Sequence, residues 1–153
     1  MPDGAPLEIF ELDGIPLFNQ DEEKNPPKNV VELKARIRAA DAILFVTPEY
    51  NYSIPGVLKN AIDWASRPPD QPFDGKPIAI MGASPGRLGT ARAQYHLRQC
   101  FVALNGLVLN RPEVMVAGAS TIFDESGRLT DEATREHIAK QLEALRAWVR
   151  RLK

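Results

Sequence analysis

The chain has 153 residues, 44% of them hydrophobic, which suits a single domain, 1–153, with a real core. A net charge of −1 excludes the basic footprint of a nucleic-acid binder and the polybasic patch of a membrane-surface protein. Cys100 is the one cysteine, which excludes an internal disulfide framework and fits a reducing cytosol.

In chain order, Met-Pro-Asp-Gly-Ala-Pro opens the sequence with neither the charged start nor the apolar centre of a leader peptide. No apolar run anywhere approaches the roughly 18 residues of a membrane span, so a cytoplasmic location is expected. Leu7 to Leu12 alternates like a strand with one exposed face. Residues 13–27, rich in Pro, Asn and Asp, predict a loop that carries Ile15, Leu17 and Phe18 down onto the core. A helix is predicted over 28–40, with Val30, Leu33, Ile37 and Ala40 on one side. The run Ala42-Ile43-Leu44-Phe45-Val46 predicts a strand buried on both faces. Helix follows over 55–66, loop over 67–76, and a second buried strand over 77–81.

After a glycine-rich turn, a helix over 90–105 turns Ala93, Leu97, Cys100, Phe101 and Leu104 inward. Strand is predicted over 108–117, with Pro112 marking a bulge or an edge. Asp124-Glu125-Ser126-Gly127 is a turn. Thr130 is the expected cap of a last helix that carries Ile138, Leu142, Leu145, Val149 and Leu152 at three- and four-residue spacing. Strands alternating with helices imply parallel pairing through right-handed crossovers.

The stretch most informative for function is Thr47 to Trp64, T-P-E-Y-N-Y-S-I-P-G-V-L-K-N-A-I-D-W. It places a polar, aromatic loop at the carboxyl end of a predicted strand, where open α/β sheets bind ligands. A second loop is Gly82-Ala83-Ser84-Pro85-Gly86-Arg87-Leu88-Gly89-Thr90. Taken alone, its glycine spacing fits neither a Rossmann fingerprint nor a Walker A loop. The chain shows no Ser-His-Asp arrangement, no His or Cys cluster at ligand spacing and no carboxylate pair, so neither a catalytic side chain nor a metal site is expected.

Together the two loops, and the order of the elements from about Leu7 onward, closely resemble the NADPH-dependent FMN reductase family. The resemblance implies a flavodoxin-like, three-layer α/β/α fold with a parallel sheet. It implies FMN as cofactor, NADPH or NADH as electron donor, and small-molecule acceptors of the flavin, quinone, azo or metal-oxyanion type. It also implies a homodimer or homotetramer, with Arg92 and Tyr95 facing a partner subunit. By the same resemblance, both loops contact the isoalloxazine ring. The expected cofactor-binding residues are Pro48, Glu49, Tyr50, Asn51, Tyr52 and Ser53, with Ser84, Pro85, Gly86, Arg87, Leu88 and Gly89.

The chemistry suits such loops. Flavin carries its own redox reactivity, so the protein supplies a slot and N–H donors for the polar ring edge. Glu49, Asn51 and Tyr52 can offer N–H groups, while Gly86 and Gly89 permit close backbone approach. One open ring face implies a ping-pong mechanism. Blander roles remain open at several positions: a core-covering role for Tyr50 and Tyr52, a solvated one for Arg87, structural support for Asp63 and Trp64, and a core thiol at Cys100.

One part of the family pattern is not met. Its members begin with a strand, a Ser/Arg-rich phosphate-binding loop and a helix, and no such unit precedes Leu7. In the order 2-1-3-4-5 this first strand is interior, and its neighbours would stand roughly 9.6 Å apart. Three explanations compete: a true start farther upstream, a Leu7–Leu12 strand moved into the gap, or a strand donated by another subunit. A non-enzymatic, oligomerising module that binds no FMN is the alternative function.

Overall fold

The computed structural model describes Pro2 and residues 4–153. Met1 and Asp3, part of the start read above for a leader, lie outside them. Four strands, β1 (Ile43–Val46), β2 (Pro77–Ala83), β3 (Leu107–Val108) and β4 (Val114–Val116), form one sheet in which every pairing is parallel. The helices are α1 (Lys28–Ala39), α2 (Gly56–Ala65), α3 (Ala91–Ala103), the short α4 (Ala119–Ile122) and α5 (Glu132–Leu152).

Strand β2 is central and all but its last residue is buried, as its run Pro-Ile-Ala-Ile-Met-Gly-Ala requires. It pairs with β1 along one edge (Ile43 opposite Ile78, Val46 opposite Met81) and with β3 and β4 along the other. Ile78 and Ile80 point into one core with Leu33 and Ile37 of α1, Leu58 and Ile62 of α2, and Leu97 and Phe101 of α3. On the opposite face Met81, Val114 and Val116 meet Ile138 and Leu142 of α5. The result is helix, sheet, helix, as expected.

Strands β3 and β4 are one predicted strand in two pieces. Pro112, which has no N–H, sits in the interruption. There the side chain of Gln141 on α5 replaces the missing donor: its Nε2 donates to Ile80 O at 3.0 Å and Pro112 O at 2.9 Å. Gln141 is 1% exposed. A hydrophobic-periodicity reading of α5 passes over this residue, although it mends the sheet.

Several expectations are corrected. Residues 7–12 form no strand and make no ladder among the described residues, and they do not fill the place beside β1. Their alternation is still used, since Phe10 and Leu12 pack on the core while Ile9 is 76% exposed. Strand β1 is only partly covered on its second face. Ile43 and Phe45 join the first core and Leu44 packs on the second, but Val46 is 69% exposed, because α5 lies over β2 and β4. Leu17 points away from the core, whereas Phe18 packs edge-on against Trp64 with centroids 5.0 Å apart.

Asp131, not Thr130, caps α5. The Asp131 carboxylate accepts from Thr134 N at 2.8 Å, and Thr130 Oγ1 instead donates to Ile122 O. Cys100 is half-buried rather than a core thiol. The expected 124–127 turn is present, closed by Gly127 N to Asp124 O.

Candidate functional site

The loops that follow β1 and β2 leave the same, carboxyl end of the sheet and converge there, as parallel neighbours must. Between them lies a hollow of about 660 Å³, lined by Glu49, Tyr52, Ser84, Gly86, Arg87, Leu88, Gly89 and Arg92. That volume is within the usual range for a small-molecule site. Seven of these residues belong to the predicted set. Pro48, Tyr50, Asn51, Ser53 and Pro85 belong to the same two loops but not to the lining.

The first loop is a tight two-residue turn. Tyr50 and Ser53 exchange both backbone hydrogen bonds at 3.0 Å, and the residues between them, Asn51 and Tyr52, have φ of 48° and 67°. Positive φ at both central positions is the twist that matches a hairpin, usually achieved with Asn-Gly. A tyrosine in the second of those positions is strained. The turn uses the N–H groups of Tyr50 and Ser53 internally. Those of Glu49, Asn51 and Tyr52 find no partner among the described residues, the same three donors that the sequence singled out.

The second loop is tied from behind. Ser84 Oγ donates to Gly89 O at 2.7 Å and accepts from Gly86 N at 3.2 Å. Gly118 N donates to Gly86 O, and Ala119 N to Ser84 O. Its glycines have different reasons. A Cβ on Gly82 would overlap Thr47 O and Thr90 Oγ1, so the two strands could not close. Gly89 has φ +58° and its Cβ would lie 2.7 Å from Met115 C. Gly86 does not have a positive φ. A Cβ there would meet only Ser84 Oγ at 3.5 Å, so protein packing sets no demand for glycine, and a side chain would project at the hollow.

Helix α3 binds the two loops together. Glu49 Oε2 accepts from Arg92 N at 3.0 Å and Ala93 N at 3.1 Å, and Oε1 pairs with Arg92 Nε at 2.8 Å. The Arg92 guanidinium lies over the Tyr52 ring, 3.6 Å from its centroid. Farther along α3, His96 Nδ1 contacts Ser53 Oγ at 3.0 Å. Arg92, expected at a subunit contact, also lines the hollow. The signal for it was faint, an arginine in the first turn of a helix that follows a glycine loop.

The remaining singled-out residues do structural work. Trp64 is 1% exposed and its Nε1 donates to Pro16 O at 2.8 Å. Asn60 anchors the same loop by accepting from Phe18 N and donating to Pro16 O. Asp63 pairs with Lys59. Arg87 has no ion-pair or hydrogen-bond partner among the described residues and is exposed at the rim. No group of three or more His, Cys, Asp or Glu gathers among them at metal-ligand spacing. Nor is any described helix long and apolar enough to cross a membrane.

The sequence profile of the NADPH-dependent FMN reductase family matches residues 1–121. This chain belongs to that family. Among its relatives is an NAD(P)H-dependent FMN reductase of Pseudomonas aeruginosa, 59% identical over 100% of this chain and 83% of the relative. A quinone reductase of Escherichia coli is 47% identical over 97% of this chain and 82% of that protein. Among solved structures, the flavoenzyme NAD(P)H:(acceptor) oxidoreductase FerB of Paracoccus denitrificans superimposes with a TM-score of 0.83 at 36% identity, covering 92% of this chain and 78% of FerB. Family membership makes the chain an oxidoreductase with a flavodoxin-like fold.

Proposed function

We propose that this reductase holds FMN by its ring between the Pro48–Ser53 turn and the Ser84–Gly89 loop, and moves electrons from NADPH or NADH to small-molecule acceptors. The observation that carries this reading is the hollow itself. Two loops meet at the carboxyl edge of a parallel sheet, with three N–H groups unused and a glycine free of packing demands at the lining. Bound FMN supplies hydride acceptance and release. The chain contributes binding and orientation: N–H groups of Glu49, Asn51 and Tyr52 toward the polar ring edge, and Gly86 leaving room for a flat group.

The ring half of the cofactor fits these residues better than its phosphate. Among the residues that line the hollow, Arg87 is the cation without a partner, since Arg92 is committed to Glu49. Ring contacts therefore dominate in this chain, and riboflavin and FMN should bind within about tenfold of each other, a difference of about 1.4 kcal/mol. The test is titration with each flavin, followed by gel filtration and a visible spectrum. A yellow protein with a perturbed flavin band is expected. A colourless protein whose addition leaves flavin fluorescence unaltered refutes the reading.

The acceptor class best supported is a quinone, from the name and identity of the Escherichia coli relative. Flavin, azo dyes and metal oxyanions are further candidates. Donor and acceptor would use the one mouth of the hollow in turn, a ping-pong scheme whose mark is parallel double-reciprocal plots. Exposed Tyr50, Leu88, Tyr95 and Val102 support a homodimer or homotetramer, to be measured by light scattering.

A further inference from the structure

Glu49 lies in the loop expected to touch the ring, yet its carboxylate is engaged elsewhere. Both oxygens are used on α3: one on the backbone N–H groups of Arg92 and Ala93, the other on the Arg92 side chain. The Glu49 side chain is only 9% exposed. An anion on the first free N–H groups of a helix satisfies orphan donors and meets the positive end of the macrodipole. No side chain of Thr90, the residue before the helix, does this: α3 has no side-chain cap of its own. The cap comes from 43 residues earlier in the chain.

The cap also fixes a strained element. Tyr52 holds φ 67°, a conformation that a residue with a Cβ rarely adopts. It is kept there by the Arg92 guanidinium stacked 3.6 Å from its ring centroid, and Arg92 is in turn aimed by Glu49 at 2.8 Å. Carboxylate, guanidinium and phenol ring thus form one rigid wall of the hollow. Because the Glu49 carboxylate already occupies the α3 N-terminus, that helix end is closed to a phosphate.

We propose that Glu49 is a positioning residue: it clamps the Tyr50–Ser53 turn to the start of α3 and thereby makes the hollow a slot for a planar ring, not a phosphate cradle. This deepens the flavin reading and rests on it, but the clamp has its own observable. The Arg92 and Ala93 amides should be slow to exchange with solvent, and only because Glu49 holds them.

The test compares wild type, Glu49→Gln and Glu49→Ala by amide hydrogen exchange and by riboflavin titration, with inorganic phosphate as the probe of the helix end. In Glu49→Ala, protection of the Arg92 and Ala93 amides should fall at least tenfold while Leu97 and Phe101 are unchanged. Riboflavin affinity should drop at least tenfold, and phosphate should perturb those two amides, which it does not do in wild type. Glu49→Gln keeps an acceptor oxygen but loses the pull on Arg92, so it should recover part of the amide protection and part of the affinity. The proposal is overturned by Glu49→Ala amides that stay protected, or by deprotected amides with riboflavin affinity within twofold of wild type. A wild type that takes up no riboflavin sinks the flavin reading instead, and the amides alone then decide whether Glu49 holds the turn on α3.

Discussion

Gly89→Ala places a methyl group where the backbone of β4 already is. An ideal Cβ would stand 2.7 Å from Met115 C, 2.9 Å from Met115 O and 3.0 Å from Val116 N, against the 3.4 Å at which ordinary contact begins. The shortfall is 3.4 − 2.7, about 0.7 Å, and the obstacle is backbone paired to β2 through Met81, Gly82 and Ala83, which cannot rotate aside. Overpacking of this kind costs about 1–3 kcal/mol. The residue also has φ +58°, which adds about 1–2 kcal/mol for any side chain. The sum is about 2–5 kcal/mol. At about 2–4 °C per kcal/mol for a domain of this size, Tm should fall by about 4–20 °C, and urea denaturation should give a lower midpoint with an unchanged slope. Gly86→Ala is the internal control: its φ is not positive and its Cβ meets only Ser84 Oγ at 3.5 Å, so stability should move by less than about 0.5 kcal/mol. Gly89→Ala with stability within about 0.5 kcal/mol of wild type would refute the packing argument.

Gln141→Leu leaves the Ile80 and Pro112 carbonyls without their side-chain donor inside the sheet; a loss of about 1–3 kcal/mol is expected by chemical denaturation, and an unchanged midpoint would mean the sheet closes without it. Burial raises the Cys100 thiol above its usual range, with Lys59 opposing only in part. Alkylation by iodoacetamide should therefore be slower than for a free thiol at neutral pH and speed up as pH rises beyond that range; a rate equal to free cysteine at neutral pH would contradict this. Asp131 is held below the ordinary carboxylate range by its bonds to Thr134, and Asp124 by those to Ser126 and Arg128. Since the folded state lowers both, their stabilisation is present above that ordinary range and is lost as pH falls through the folded values. Asp131→Asn should show a shallower acid-side decline than wild type, and equal slopes would exclude the cap as its source.

Local patterns told much of the architecture in advance. Apolar runs marked β1 and β2, helical spacing marked α1, α2, α3 and α5, and the aromatic loop after β1 and the glycine loop after β2 are found together at the carboxyl edge of the sheet. Those features depend on periodicity and on backbone chemistry within a few neighbours. What the tertiary structure decided is longer in reach. Residues 7–12 alternate correctly yet join no strand among the described residues, because a ladder needs an adjacent partner strand and no pattern within the segment can supply one. The donor for Ile80 O comes from Gln141, 61 residues away, and the cap of α3 from Glu49, 43 residues away. Capping signals are read from sequence within one turn of a helix, so a cap delivered across the fold leaves no local trace. The residues that build the slot were legible one by one; which of them face it and which hold it in place follows only from where the strands bring them together.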